Sequence, residues 1–341
     1  MTEKPDKIRH FTIPVFIPME ACPFQCIFCD QGRISGRTFV PSAQYVINII
    51  HQHLSTIPEN NTEIEAGFFG GTFTGLSPER QEGYFNAVLP FIESGRISGI
   101  RLSTRPDFIS REILELLRKY PVKMIELGAQ SMDDEVLKKS GRGHTSRTTE
   151  NASRMILEAG FSLGLQMMVG LPEDTEEKSV NTAKKIVELG ASETRIYPVI
   201  VIKGTPLEDL VLEGKYIPLE LEEAISLTKK VVSVFEDSDV KIIRIGLHPS
   251  EGLLNMNDYV AGPFHTSFRE LVMTSVWTER FQVLFGVKAG KNIEIQVNPA
   301  DLNAAIGYYG KNRKLLENHF RSVRFHADRE IKEKTFYADY Y

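Results

Sequence analysis

Cys22-Pro23-Phe24-Gln25-Cys26-Ile27-Phe28-Cys29 holds all three cysteines of a 341-residue chain within eight positions. With no cysteine elsewhere to pair with, a disulfide framework is not expected, and the thiols read as metal ligands kept reduced. Just upstream, Phe11 to Phe16 is a short β-rich run. The thiols therefore lie on the loop after a first strand, where three side chains can wrap one inorganic centre. Three ligands are too few for structural zinc, which takes four, or for the common ferredoxin clusters with four cysteines. A cubane held by three thiolates leaves one iron open for chemistry. A zinc or cluster site of purely structural use is the other reading of the same residues. Phe24 and Phe28, between the ligands, suit the shielding of such a centre from water.

Outward from this loop, short β-rich runs alternate with longer amphipathic segments, the pattern of repeated βα units around a mostly parallel sheet. Strands are expected at Phe11 to Phe16, Glu65 to Phe69, Gly99 to Thr104, Lys123 to Leu127, Ser162 to Val169 and Glu193 to Val199. Helices are expected at Ser42 to Thr56, Ser77 to Ser94, Ser110 to Lys119, Ser146 to Ala159 and Thr175 to Leu189. Each opens with a Ser or Thr able to cap its first-turn amides. A helix over Leu219 to Glu236 and a strand at Val240 to Ile245 finish the series. The chain thus reads as an α/β protein, a partial (β/α)6 TIM-like barrel with a small C-terminal α+β extension. Residues 1–250 form the core and residues 251–341 the extension, with a strand at Ile293 to Val297 and a basic helix near Gly310 to Arg321. In such folds the ligand site lies at the carboxyl ends of the strands.

Composition sets the outer bounds. At 42% hydrophobic and 25% charged residues the chain can bury a substantial core, and its net charge of -5 argues against a generally polybasic nucleic-acid binder. No apolar stretch approaches the ~20 residues of a membrane-spanning helix, and the mixed-charge amino terminus does not read as a signal peptide. A cytoplasmic protein with no membrane partner is the expectation.

The loops after the later strands carry polar and glycine-rich motifs. Phe68-Phe69-Gly70-Gly71-Thr72-Phe73-Thr74-Gly75 ends the second strand, and its paired glycines allow a backbone turn closed to other residues. Ser103-Thr104-Arg105-Pro106-Asp107 follows the third, where Arg105 and Asp107 read either as site residues or as a surface ion pair or cap. Glu126-Leu127-Gly128-Ala129-Gln130-Ser131 ends the fourth, and Gly141-Arg142-Gly143-His144-Thr145 comes next. In Gln166-Met167-Met168-Val169-Gly170-Leu171-Pro172 the methionines read as core filler, whereas Gln166 can face into the barrel.

The CxxxCxxC spacing resembles the signature of the radical S-adenosylmethionine (SAM) superfamily. Six motifs in order make the chain similar to the branch that holds the radical domain of the Elongator catalytic subunit and, more distantly, oxygen-independent coproporphyrinogen III oxidase. The resemblance implies a [4Fe-4S] cluster on Cys22, Cys26 and Cys29, whose open iron binds the methionine moiety of SAM. Electron transfer then cleaves the sulfonium to a 5′-deoxyadenosyl radical that takes a hydrogen from substrate. It places the cofactor among Gly70, Gly71, Thr72, Thr104, Arg105, Gln130, Arg142 and Gln166, with the Gly-Gly segment at the methionine ammonium and the Gln130 amide at ribose hydroxyls. It also implies a reducing partner such as flavodoxin or ferredoxin. Fewer than about 80 residues follow Pro263, too few for the acetyltransferase domain of the Elongator subunit.

Three readings of the substrate stay open. One is a tRNA base, drawn from the branch resemblance and from the tail Gly310 to Tyr341. There eight bases face five acids, and Phe320, Phe325, Phe336 and Tyr337 are interleaved where they could stack on unpaired bases. Another is a small metabolite in the barrel mouth, contacted by His248, Glu251 and His265. The last is a non-catalytic iron-sulfur redox module.

Overall fold

Along β1 (Arg9–Ile17), Ile13, Val15 and Ile17 are buried beneath helices, while Thr12, Pro14 and Phe16 on the opposite face line an open lumen. The same period of two organises β2 (Thr62–Gly70), β3 (Gly99–Thr104), β4 (Val122–Gln130), β5 (Ser162–Val169) and β6 (Glu193–Pro198). In β5, for example, Leu163, Leu165, Met167 and Val169 face the helical layer, whereas Ser162, Gln166 and Met168 face the lumen. The computed structural model describes residues 8–17, 21–22, 26–36, 39–287 and 289–341. Phe24, assigned a shielding role above, lies outside the described residues.

After β6 the chain forms β7 (Val201–Ile202) and returns as β8 (Lys241–Ile245). One parallel seven-stranded sheet results, in the order β1-β2-β3-β4-β5-β6-β8. It is the curled half-barrel expected from the βα alternation, with the strand at Val240 to Ile245 as its outer member. β7 instead pairs antiparallel with β9 (Tyr259–Ala261), a hairpin-like contact that the periodicity did not reveal. Helices Ala43–Leu54, Pro78–Glu93, Arg111–Arg118 and Glu176–Glu188 are capped by Ser42, Ser77, Ser110 and Thr175 as expected. Helix Ser146–Glu158 differs: Thr145 is its cap, because its hydroxyl accepts from the Thr148 amide while Thr148 returns a bond to the Thr145 backbone.

A second core begins at Trp277 and gathers Phe281, Ile293, Ile295, Val297, Leu316 and Phe320. Over it lies a three-stranded sheet, β11-β10-β12, made of β10 (Asn292–Val297), β11 (Ser322–Ala327) and β12 (Phe336–Tyr340). Helix Phe268–Arg280 belongs to both cores: Phe268, Val272 and Val276 pack on the barrel and Trp277 on the tail. The basic helix of the tail is shorter than expected, Lys311–Glu317, opening after Gly310 in the left-handed region. Phe320 is only 2% exposed, and Phe325 and Phe336 pack against the same core. Of the four aromatics expected as a stacking surface, only Tyr337 is exposed. Burial of the ring faces outweighs their interleaving with bases, since a half-buried helix and strand carry the same pattern. Among the described residues no helix is long and apolar enough to cross a membrane.

Because Trp277 is fully buried where the two cores meet, Trp277→Ala is expected to lower stability by about 3–5 kcal/mol. Denaturant titration of the variant against wild type checks this.

Candidate active site

All three cysteines and all eight further residues singled out from the sequence line one cavity of about 360 Å³ at the carboxyl ends of the strands. Cys26 is buried and accepts from Arg142 Nη1 at 3.2 Å, with Arg105 Nη1 at 3.9 Å. Cys22 Sγ lies 3.3 Å from the Thr72 hydroxyl. Burial, then the charges of Cys26 and Cys22, push the Cys29 thiol up to about 12, against a smaller opposing pull from Arg142. Such crowding of thiolates is what a cationic centre relieves. Among the described residues no three His, Cys, Asp or Glu groups are placed to share a single metal ion. Three thiols on one cavity are a soft donor set of the kind that an iron-sulfur cluster takes.

The glycine loop is constrained by its backbone. Gly70 has φ +112°, and a Cβ there would fall 2.6 Å from the Ile17 carbonyl oxygen, the same oxygen that accepts from Gly71 N–H at 2.7 Å. The Gly70 carbonyl accepts from Gln31 Nε2 at 2.5 Å. An N–H donor therefore already sits on one carbonyl of the segment that the resemblance places at an ammonium group. Gln31 was missed in the sequence; its position two residues after Cys29 was the available signal.

Gln130 ends β4 in the left-handed region, φ +64°, beside a register break in which Gly128 faces Gln166 and Gln130 faces Met167. Its Oε1 is buried without a hydrogen-bond partner among the described residues. A strained residue with an orphaned acceptor aimed at a cavity is the pattern of a ligand contact. Arg142 Nη2 donates to the Gly128 carbonyl at 2.6 Å, and its Nε has no partner among the described residues. Arg105 is buried, donates twice to Asp107 at 2.9 Å and also reaches the Arg142 carbonyl. Arg105 thus belongs to the cavity wall, while its partner Asp107 is exposed and does not line the cavity. The Thr104 hydroxyl is taken by Thr74 at 2.6 Å. His144 is buried behind these arginines; burial, then Arg142, push its imidazole down to about 4, so it is neutral at physiological pH. Phe28 lines the cavity wall beside Cys29.

Beneath this cavity the lumen is polar. Arg101 donates to Glu65 at 2.8 Å, to Glu126 at 3.0 Å and to Glu193 at 3.0 Å. Glu126 also accepts from Arg195 at 2.6 and 3.0 Å and from Gln166 at 3.0 Å, while Gln166 reaches the Ser103 hydroxyl. Burial raises the Glu126 carboxyl, but Arg195 and Arg101 outweigh it and hold it below the ordinary range. Glu126 opens the motif that ends β4 and is buried well below Gln130, because the strand runs on to that residue. Glu65, Arg101, Glu193 and Arg195 were not singled out; one charged residue at the inward position of successive strands was their signal. The lumen opens into a larger cavity of about 1300 Å³ that shares Cys29, Gly70, Gln130 and Gln166 with the smaller one. His248 and Glu251 line it. His265 does not: its Nδ1 accepts from the Ser267 amide and its ring meets Tyr308, so its contacts are structural.

A family model described as the radical SAM superfamily matches residues 16–186, and one for the radical SAM C-terminal domain matches residues 192–277. The chain belongs to the radical SAM superfamily. It is a radical SAM enzyme of the type whose family chemistry rests on SAM and a 4Fe-4S cluster. An uncharacterized protein of Methanocaldococcus jannaschii is 29% identical over 235 residues, 66% of this chain and 72% of that protein. The tRNA uridine(34) acetyltransferase of the same organism is 26% identical over 263 residues, 65% of this chain and 48% of its own length. The chain therefore spans about half of that relative. The solved structure of Methanocaldococcus infernus Elp3 with an N-terminal deletion matches with a TM-score of 0.65 at 21% identity, over 85% of this chain and 72% of that one. It shares the fold.

Glu126→Gln is expected to destabilise the protein by about 3–5 kcal/mol, since it leaves buried arginines short of a counter-charge. The Glu126 carboxyl is held below its usual value near 4.5, so its contribution is fully present above that pH and is lost as pH falls through the folded value. Stability against pH checks it: the gap between wild type and variant should be constant above about pH 4.5 and close below it.

Proposed function

We propose that this enzyme holds a [4Fe-4S] cluster on Cys22, Cys26 and Cys29, binds SAM across the cavity they share with Gly70 and Gln130, and acts on a tRNA base. The observation that carries the reading is the convergence of three thiols, the Gly70 carbonyl and the orphaned Gln130 Oε1 on one cavity. When bound, the cluster and SAM supply the electron and the 5′-deoxyadenosyl radical that takes a hydrogen from substrate. The chain's own residues do the rest. Arg142 donates to the Cys26 sulfur, which withdraws charge and favours the reduced state. The Gly70 carbonyl accepts from a cationic N–H donor in place of Gln31. Gln130 Oε1 accepts from a ribose hydroxyl, and Phe28 excludes water from the cluster wall.

Support for RNA comes from the similarity to a tRNA uridine(34) acetyltransferase and from Lys311, Arg313 and Lys314, which stay exposed on the tail helix. A small metabolite is the second reading, favoured by the cavity of about 1300 Å³ with His248 and Glu251 at its wall. Cytoplasmic location and a flavodoxin- or ferredoxin-type reductant complete the proposal.

Anaerobic reconstitution with iron and sulfide, followed by dithionite and SAM, is expected to yield a cluster absorbance and 5′-deoxyadenosine. Cys26→Ala should lose both; full cluster iron in that variant would refute the ligand set. Nucleoside profiling of tRNA from a deletion strain separates the substrates: one missing modification supports RNA, and an unchanged profile favours the metabolite.

A further inference from the structure

β6 and β8 run parallel with a break in register. Thr194 faces Ile242, but the next residue, Arg195, faces Arg244, so Ile243 is skipped. The skip sets two arginines side by side on adjacent strands, and both line the larger cavity. Register breaks of this kind re-aim a side chain and concentrate next to active sites.

The two arginines are not equivalent. Arg195 is neutralised: Glu126 accepts from its Nε at 2.6 Å and its Nη2 at 3.0 Å, and its guanidinium sits 5.0 Å over the Phe69 ring. Arg244 is half-buried, and among the described residues no carboxylate lies within ion-pair distance of it. The groups that register its charge are Tyr197 and His248. Neither supplies a negative charge at neutral pH. Like charges directly opposed on neighbouring strands destabilise a sheet, and a half-buried cation without a counter-charge adds to that cost. Among the described residues no carboxylate pairs with it, and the side chain faces a cavity continuous with the cofactor site. A guanidinium is a planar fork of donors that fits phosphate and carboxylate oxygens two at a time. Phe16, Phe69 and Tyr197 supply flat apolar surface on the same cavity.

We propose that Arg244 is the anion subsite of the substrate cavity and takes an oxyanion of the substrate. If the tRNA reading above is right, on which this assignment of source rests, that oxyanion is the phosphate of a nucleotide turned out of its strand, with its base against the aromatic wall. A carboxylate of a small metabolite presents the same chemistry, and the test separates the two.

Uridine 5′-monophosphate, uridine and succinate are titrated up to 10 mM into the full chain by calorimetry, for wild type, Arg244→Gln and Arg244→Lys. Wild type should bind the monophosphate about 10- to 100-fold more tightly than uridine. Arg244→Gln should bring the monophosphate to the level of uridine without moving uridine, and Arg244→Lys should keep part of the preference. Succinate binding that is lost in Arg244→Gln, with no preference for the monophosphate, keeps the subsite and rejects the nucleotide source. The subsite is overturned if wild type shows neither a monophosphate preference nor succinate binding, or if either survives Arg244→Gln unchanged. That result would leave the tRNA reading to the nucleoside profile.

Discussion

Arg101 reaches from β3 to carboxylates on β2, β4 and β6, and the site above depends on that buried junction. Taking a guanidinium and three carboxylates out of water is costly, and the attraction offsets it only where geometry is good and remaining donors are used. Here Arg195 and Gln166 complete the network on Glu126. The result is a barrel whose lumen cannot be filled with aliphatic side chains in the way a closed barrel packs. The apolar packing moves to the layer between sheet and helices, and the interior stays available to a ligand.

The carboxyl ends of the strands then act as a rim on which backbone irregularities aim side chains. The break between Gly128 and Gln130 turns an amide toward the cavity, and the left-handed Gly70 clears the Ile17 carbonyl. Partners remote in sequence hold the cysteine loop. Ile27 donates to the Ser140 carbonyl and accepts from the Leu207 amide, and Arg33 pairs with Asp258 at 2.6 Å. Cys26 and Phe28 pack in a small apolar cluster with Val136, Leu171, Val201 and Leu207. The position of the thiols is thus decided by β7, its neighbours and the hairpin-like contact with β9, as much as by the loop.

Two readings of the tail show how a local pattern misleads. Bases alternating with aromatics describe a nucleic-acid surface, but they equally describe elements with one buried face. Phe320 falls on that face. His265 was expected at the barrel mouth with His248 and Glu251, yet the chain turns it back on Ser267 and Tyr308.

By itself the sequence determined what short-range physics controls: strands from a period of two, helix starts from hydroxyl caps, a left-handed turn from paired glycines, and three thiols within one loop. Tertiary structure alone decided which charges meet. Glu65, Arg101, Glu126, Glu193 and Arg195 are spread over more than a hundred residues, and each looks like an ordinary polar position in its strand. Their pairing, and the lack of a carboxylate beside Arg244 among the described residues, follow from the curl and register of the sheet, because Coulomb energy depends on distances that only the curled sheet creates.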